Sequence, residues 1–288
     1  MNRVLVIGGI NLDIKAKTLG AHVAATSNPS VIVSKPGGVG RNVAHNLGAL
    51  GIPVSLLSIV GNDAQGAAAL AATQEAGVDV SAVTKLEGST GIYLAVLDQY
   101  GELVTAASDM AALDALTPAV IAQHAQLVAK AQFVVADCNL SVETLKAIAD
   151  IAADRMIVEP VSVSKCEKLK ALLRTHRIYL ATPNVDQTMA LTGSSDPATA
   201  AHRLKEMGLS AVVIHHGAEG AFAYDGLTLN HVPAGASKIV DVTGAGDAAT
   251  AGLVAGLMQG LSLASAARIG QHSAGRVIAS EFSTLVGP

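Results

Sequence analysis

The sequence predicts an α/β protein with a mainly parallel central sheet between two layers of helices and a small β-strand lid at one edge. Three observations favour this fold. Short apolar strands alternate with helices along most of the chain, as in proteins built from β-α-β units. Polar residues recur directly after these strands, at the edge where open α/β sheets bind ligands. One region has consecutive strands with no helix between them, which predicts a separate small sheet.

The predicted elements follow one another in a regular order. We predict parallel strands at residues 3–7, 54–58, 133–137, 156–158, 178–181 and 211–215, then a hairpin of strands at 221–224 and 227–231. A first helix is predicted to end at Gly51, and further helices are predicted at residues 63–76, 118–130, 141–153, 196–208, 247–259 and 263–280. The chain has 288 residues and half of them are apolar, so we expect one domain over residues 1–288.

The lid is predicted from the region where alternation stops. Three segments have strand patterns with no helix between them: residues 82–86, 91–98 and 102–107. Residues 15–35 are polar and typical of a loop, with a short strand at 31–34. We expect an antiparallel lid formed by about residues 12–35 and 88–111, packed over one edge of the main sheet.

The predicted lid has one apolar face, which carries Ile92, Leu94 and Val96. A sheet this small leaves such a face and its strand edges exposed in a single copy. The sequence therefore predicts a homodimer that forms through the lid.

Composition excludes several classes of protein. The formal charge is −4, the isoelectric point is about 6.1, and no cluster of Lys and Arg occurs, so we expect no nucleic-acid partner. No run approaches the ~18 apolar residues of a membrane span, and the N-terminal strand lacks a signal-peptide pattern, so a cytoplasmic enzyme without a membrane partner is expected. The two cysteines are interpreted as ordinary thiols, and the scattered histidines do not predict a zinc site.

The first candidate binding element is the glycine-rich entrance to the first helix. Gly37 and Gly38 precede a helix with helical apolar spacing, and Asn42 lies in its first turn. Upstream, Asn11 and Asp13 are two residues apart, which places both side chains on one face of an extended segment. These residues could bind a hydroxylated ligand, or they could simply form tight turns.

The second candidate is the segment Asp241–Asp247 before a small-residue helix. Gly244 and Gly246 permit close approach to the backbone, and the exposed N–H groups of a helix start can bind an anion. Asp247 has two interpretations. Its carboxylate could cap the helix, or it could act as a general base on a hydroxyl that attacks the bound anion.

Neither of two common nucleotide-binding motifs occurs. The sequence has no GxxxxGK[ST] segment, and its glycine pairs lack the third glycine and the downstream acid of the dinucleotide-binding fingerprint. The two glycine-rich helix entrances are more informative as a pair. One could hold a hydroxylated substrate, and the other the phosphates of a phosphoryl donor.

The two glycine-rich segments resemble the signatures of a known family. Gly37–Ala44, with Gly51 beyond it, resembles the first signature of the ribokinase-like (PfkB) carbohydrate and nucleoside kinases, and Asp241–Asp247 resembles the second. The signatures have the expected order and spacing, and the resemblance covers essentially the whole chain. Within the family, bacterial pseudouridine kinases are the most similar subfamily, on these cues: Ser27–Pro29, Ser108–Met110, Ala136–Asn139, Glu159–Ser162 and Lys165.

The resemblance implies a three-layer ribokinase-like fold and an ATP-dependent transfer of phosphate to the 5′-hydroxyl of pseudouridine. It implies Asp247 as the catalytic base, with an anion hole formed by Gly244, Ala245 and Gly246. It assigns the substrate to Asn11, Asp13, Gly37, Gly38 and Asn42, with Thr90, Tyr93 and Asp109 at the base. It assigns ATP to Asn184, His216, Gly217, Gly220, Thr243 and Gly246. Mg²⁺ is expected with ATP, and K⁺ is expected at Asp241 and Thr243.

Two departures and two alternatives accompany this interpretation. The family pattern Asn-x-x-Glu is here Asn184-x-x-Gln187, so Asp186 could replace the missing carboxylate or the metal dependence could differ. His215 stands where Thr or Ser is common, and it is either a packed strand-end histidine or a phosphate neighbour. The alternatives are another sugar or nucleoside kinase, for ribose or an adenosine- or inosine-type substrate, and a non-catalytic regulator that binds such a ligand.

Overall fold

The main sheet forms the centre of the molecule. The computed structural model describes residues 3–235 and 238–286, and within these ranges nine strands make up this sheet. Their order across the sheet is β13 (Leu229–Val232), β12 (Ala221–Tyr224), β11 (Leu209–His215), β10 (Ile178–Ala181), β9 (Met156–Glu159), β8 (Phe133–Asp137), β1 (Val4–Ile7), β4 (Val54–Gly61) and β5 (Val83–Leu86). Neighbouring strands are parallel from β5 to β11, and β12 and β13 continue the sheet in antiparallel pairing.

A second, smaller sheet is separate from the main one. Its strands, in spatial order, are β3 (Ser30–Gly37), β2 (Asn11–Thr18), β6 (Gly91–Leu97) and β7 (Leu103–Asp109). The central pair β2 and β6 is parallel, and the outer pairs are antiparallel. The predicted purely antiparallel arrangement is therefore wrong at the centre of this sheet.

The helices lie on both faces of the main sheet. Their bounds are α1 (Val39–Ala49), α2 (Ala64–Glu75), α3 (Pro118–Gln123), α4 (Ala125–Lys130), α5 (Val142–Ala152), α6 (Cys166–Leu173), α7 (Val185–Thr192), α8 (Pro197–Met207), α9 (Ala245–Met258) and α10 (Leu263–Ile278). Leu5 and Ile7 of β1 point to the core shared with α5, α6 and α8. Val4 and Val6 point to the opposite core with α1, α9 and α10. This alternation confirms the predicted three-layer α/β/α fold.

Two strands differ from the prediction. Residues 82–86 were predicted to be the first of three consecutive antiparallel strands, but β5 pairs in parallel with β4 at the edge of the main sheet. The reason is the helix α2 between them, because a strand, a helix and a strand in succession form a parallel unit. Residues 15–18, predicted as loop, continue β2, since polar and apolar side chains alternate through this stretch.

Three helical features were also missed. The helix predicted over 118–130 is interrupted at His124, which separates α3 from α4. The helices α6 and α7 were not predicted. Both have only eight residues, so each presents barely two turns of apolar periodicity to a sequence pattern. Among the described residues, no helix has the length and apolarity that crossing a membrane requires.

Candidate active site

The first glycine-rich entrance packs directly onto the end of β1. Gly38 is the residue before α1, after β3 ends at Gly37. A Cβ atom added at Gly40 would lie 2.7 Å from the Cα atom of Gly8, closer than real contacts allow. The backbone N–H of Arg41 donates to the carbonyl of Gly9 at 3.0 Å. The start of α1 and the turn after β1 therefore form one closely packed unit.

A buried carboxylate lies beneath this unit. Asp137, the last residue of β8, is 2% exposed, and its Oδ2 accepts hydrogen bonds from the N–H groups of Gly9 at 3.0 Å and Gly40 at 2.9 Å. Its Oδ1 accepts from the N–H of Asn139 at 2.8 Å. Burial raises the pKa of Asp137, and the N–H donors oppose this shift. The N–H groups of Gly40 and Arg41, at the first entrance, thus have acceptors within the protein itself.

The predicted pair on β2 lies beside this entrance. The side-chain amide of Asn11 donates to Oδ1 of Asp13 at 2.6 Å, so the two side chains share one face of the strand as expected. Burial raises the pKa of Asp13, although the Asn11 amide opposes the shift. Gly37 leaves the space that the Asp13 carboxylate occupies. Tyr93, opposite Asp13 on β6, points to the same side of the small sheet.

The second entrance has a different hydrogen-bond pattern. Gly244 precedes α9 with φ of +80°, and a Cβ atom there would overlap the carbonyl oxygen of Ser283. Within the described residues, the N–H groups of Gly246 and Asp247 have no protein acceptor. A Cβ atom on Gly246 would meet nothing within 4 Å. The start of α9 therefore presents free N–H groups to open space, which suits an anion.

Asp247 joins the two entrances. It lies in the first turn of α9, and Gly244 holds the capping position, so the helix-cap interpretation of Asp247 is wrong. Its Oδ2 accepts from the side-chain amide of Asn42, in α1, at 2.8 Å. Burial of the carboxylate raises the pKa of Asp247 well above its usual value. The Asn42 amide opposes that shift, and the nearby carboxylates, Glu159 first among them, add to it.

Glu159 is a site residue that the sequence interpretation did not assign. It ends β9, and its Oε2 accepts from the hydroxyls of Thr182 at 2.6 Å and Thr250 at 3.3 Å. Burial raises its pKa to about 7. Thr250 is in α9, so this carboxylate lies beneath the second entrance. The sequence could have indicated Glu159 as a site residue, because it follows a buried strand in the same way as the other polar residues at this edge of the sheet.

Two predicted substrate residues have other surroundings. The Thr90 hydroxyl donates to Oδ1 of Asp63 at 2.6 Å and accepts from the N–H of Gly61 at 3.1 Å, so it is occupied in fixing the start of α2. Asp109 is paired with Ile92 in the register of β6 and β7, which places it on the face opposite Tyr93. The expectation that Asp109 and Tyr93 point to one ligand is wrong, because side chains alternate between faces along a strand.

The predicted nucleotide residues follow β10 and β11. Asn184 is the capping residue of α7, and it exchanges hydrogen bonds with Gln187 in a capping box, both at 2.9 Å. Asp186 is exposed. The turn Gly217–Glu219 follows His216, and Gly220 leads into β12.

His215 ends β11, and its side-chain Nε2 is buried without a partner among the described residues. Burial lowers its pKa to about 4, so the imidazole is neutral at pH 7. This agrees with a packed strand-end histidine.

The predicted cation ligands contact a lysine of the small sheet. Asp241 Oδ1 accepts from the N–H of Thr243 at 2.9 Å and from its hydroxyl at 2.7 Å. The ammonium group of Lys15, on β2, donates to Asp241 Oδ2 at 3.1 Å and to Thr243 Oγ1 at 2.8 Å. A lysine side chain therefore lies at the position that the sequence assigned to K⁺.

The fold and these two entrances define a class of protein. A doubly covered α/β sheet with free N–H groups at one helix start, beside a carboxylate, is arranged for transfer of a phosphoryl group to a hydroxyl. The family profile of the pfkB family carbohydrate kinases matches residues 1–285. The chain belongs to this family, whose members are phosphotransferases with an alcohol group as acceptor.

Individual relatives support the same assignment. The chain is 36% identical to the pseudouridine kinase of Escherichia coli, over 97% of this chain and 91% of that one. It is 30% identical to the guanosine-inosine kinase of Exiguobacterium acetylicum, over 99% and 97% of the two chains. The structure of Arabidopsis thaliana ribokinase complexed with ribose and ATP superimposes with a TM-score of 0.86 at 19% identity, covering 98% and 93%, and this likeness concerns the fold.

Proposed function

We propose that this kinase transfers the γ-phosphate of ATP to the 5′-hydroxyl of pseudouridine. The observation that carries the proposal is the Asp247 carboxylate, held by Asn42 beside the free N–H groups of α9. A base next to an anion site is what phosphoryl transfer to a hydroxyl needs. The substrate is proposed from the 36% identity to the E. coli pseudouridine kinase and from the subfamily cues in the sequence.

In this mechanism Asp247 accepts the proton of the 5′-hydroxyl as the hydroxyl oxygen attacks the γ-phosphorus of ATP, while the bond from that phosphorus to the β,γ-bridging oxygen breaks and ADP leaves. The raised pKa of Asp247 makes the carboxylate a stronger base than an exposed aspartate. The Asn42 amide fixes its orientation and keeps one oxygen occupied, so the other oxygen is available to the substrate. Asn11 and Asp13 lie beside the first entrance, where they bind the sugar hydroxyls in our proposal.

The charge of the transferring phosphoryl group is stabilised at the second entrance. The N–H groups of Gly246 and Asp247 and the dipole of the 14-residue helix α9 all favour negative charge there. The open space around Gly246 admits the phosphates of ATP. His216, Gly217 and Gly220, after β11, are proposed to line the rest of the nucleotide.

Mg²⁺ bound to ATP would neutralise phosphate charge during the transfer. Gln187 does not fit such an ion, because it has no charge and its side chain is bonded to the backbone of Asn184. Glu159 does not fit such an ion either, because it is buried and its oxygens accept from the N–H of Val161 and from the hydroxyls of Thr182 and Thr250. Among the described residues, no cluster of three His, Cys, Asp or Glu side chains could hold a metal ion. We therefore assign Mg²⁺ to the phosphates of ATP rather than to a protein carboxylate.

A panel of acceptors with ATP and Mg²⁺ tests the proposal. We expect pseudouridine to be phosphorylated with a higher kcat/KM than uridine, ribose, adenosine, inosine or guanosine, with the 5′-phosphate identified by mass spectrometry and phosphorus NMR. Preferred turnover of ribose or a purine nucleoside would overturn the substrate and keep the kinase. Binding of a ligand without any ATP consumption would favour the non-catalytic regulator instead.

We further propose that the small sheet is a lid over this site and that its outer face forms a homodimer. Side chains alternate between the two faces of the small sheet. One face carries Asp13, and the opposite, outer face carries Ile14, Ile92 and Leu94. These side chains are half-buried in the single chain, and Ile32 on the same face is 67% exposed. An apolar face of this kind is typical of a contact between subunits.

Light scattering at micromolar concentration should give the mass of a dimer. The variant Ile32→Glu should give a monomer, because it introduces a charge into the contact. Val33→Glu is the matched control, since Val33 is exposed on the opposite face of the same strand and should leave the dimer intact. A monomeric native protein would contradict the proposal.

A further inference from the structure

We infer that the ammonium group of Lys15 serves as a built-in monovalent cation beside the anion site of α9. This inference rests on the proposed phosphoryl transfer for its effect on rate, but the contacts of Lys15 with Asp241 and Thr243 stand without it. The expected K⁺ ligands do not fit a free ion in this chain, because a tethered cation already contacts both of them.

The geometry closes a small ring of charges and hydrogen bonds. Thr243 Oγ1 accepts from Lys15 while it donates to Asp241 Oδ1, so one ammonium, one hydroxyl and one carboxylate bind each other. The pKa of Asp241 is lowered because its hydrogen bonds with Thr243 and Lys15 outweigh the effect of burial. The carboxylate is therefore charged, and the single positive charge of Lys15 balances it.

This ring fixes the segment that leads into α9. Gly244 follows directly, and its backbone touches that of Ser283, while the N–H of Val240 donates to the carbonyl of Ile278 at 2.7 Å. Lys15 thus holds the loop from one side and the segment around Ile278–Ser283 holds it from the other. The orientation of the N–H groups at the start of α9 depends on this loop, so Lys15 acts as a positioning residue.

An ammonium group can replace a monovalent ion here for two physical reasons. It carries the same single charge, and its three N–H donors bind the oxygen atoms that would otherwise ligate the ion. The side chains of Lys15 and Asp241 are 38% and 35% exposed, so solvent screens their attraction and this attraction alone is weak. The ammonium group is also attached to β2 through the Lys15 side chain, which gives it a high effective concentration at these oxygen atoms that a free ion lacks.

The test compares Lys15→Met with the matched control Lys17→Met. Lys17 lies on the same face of β2, two residues further, and lines the same cavity of about 500 Å³. ATP-dependent phosphorylation is measured with KCl, NH₄Cl or tetramethylammonium chloride at constant ionic strength. We expect the native enzyme and Lys17→Met to have the same rate in all three salts. Lys15→Met should lose roughly tenfold or more in tetramethylammonium and recover in K⁺ or NH₄⁺.

A second measurement does not depend on turnover. The melting temperature of Lys15→Met should rise when K⁺ replaces tetramethylammonium, because an ion that binds only the folded state stabilises it, while the native protein should not respond. Activation of the native enzyme by K⁺ would overturn the inference, as would a Lys15→Met variant that keeps its rate without K⁺ or loses it irrecoverably. If no acceptor is phosphorylated, the proposed function fails and the melting temperatures still decide the inference.

Discussion

The two glycine-rich helix entrances look alike in sequence and differ in their hydrogen bonds. At the start of α1, the N–H of Gly40 donates to the buried carboxylate of Asp137, so the protein supplies its own anion. At the start of α9, the N–H groups of Gly246 and Asp247 have no acceptor among the described residues. The difference teaches that glycines at a helix start do not by themselves define a phosphate site. Such a site also requires backbone N–H groups that have no acceptor within the protein.

The largest expected effect distinguishes the role of the Asp247 carboxylate in catalysis from the role of the Asp137 carboxylate in stability. Asp247→Asn should lower kcat by ~10²–10⁴-fold while nucleoside binding persists, because the amide cannot accept the proton. Asp137→Asn is the matched control at the first entrance. It should lower the free energy of unfolding by about 1–3 kcal/mol, since its amide N–H₂ would face the N–H donors of Gly9 or Gly40. Equal losses of kcat in both variants, with unchanged stability, would contradict the division of roles.

The second prediction concerns the carboxylate beneath α9. The unfolded chain releases the Glu159 proton near pH 4.5, whereas the folded protein keeps it until about pH 7. Stability therefore falls as pH rises between these values. Relative to Glu159→Gln, the native protein should lose roughly 3 kcal/mol of unfolding free energy over this range. Parallel pH dependences of the two proteins in urea unfolding would show that Glu159 does not titrate in this way.

The third prediction contrasts two glycines. Gly40→Ala should destabilise the protein by about 1–3 kcal/mol, because its Cβ atom would press on the backbone of Gly8 at 2.7 Å. Gly246→Ala should leave the melting temperature unchanged or slightly higher, because its Cβ atom meets open space within a helix. The same variant should raise the KM for ATP, since the methyl group occupies space needed by the phosphates. If Gly246→Ala lowered the melting temperature and left the KM for ATP unchanged, Gly246 would be required for packing, as Gly40 is, and not for phosphate binding.

The smallest expected effect is a shift of the pH–rate profile. The rate should fall on the acid side as Asp247 takes up a proton, at a pH above the range of an exposed aspartate. The Asn42 amide lowers the pKa of Asp247, so Asn42→Ala should move this acid limb to higher pH. A profile of kcat/KM for the native enzyme and the variant measures the shift. A limb that moves to lower pH would mean that Asn42 does not stabilise the charged form.

Much of the fold was predictable because alternation of strands and helices is a repeated signal. The failures were local. Residues 15–18 of β2 alternate in polarity, but their charged side chains suggested a loop, and only the neighbouring strands show that one face lines a cavity. The pattern Asn184-x-x-Gln187 was interpreted as an altered metal motif. It is a capping box, whose N-x-x-Q spacing the sequence contains but whose role requires α7 to be recognised.

The candidate site was predictable where neighbours in sequence act together and not where distant residues meet. The glycines and Asp247 of the second entrance form one continuous segment, so the sequence alone identifies it. The contacts of Asp137 with Gly40 and of Lys15 with Asp241 join residues separated by 97 and 226 positions. Such pairs form only once the order and register of the strands are known, and the residues near each partner in the sequence do not indicate either. The assignment of Asp109 failed for a related reason, because the register decides its face.

The position of Lys15 has a consequence for coupling between the two substrates. Its ammonium group belongs to the small sheet and contacts the segment before α9. In the proposed mechanism the acceptor nucleoside binds between the same sheet and the first entrance. A shift of this sheet on acceptor binding would then also move a positive charge beside the phosphates of ATP. In that mechanism the acceptor and ATP should each change the affinity of the other, and Lys15→Met should weaken this coupling.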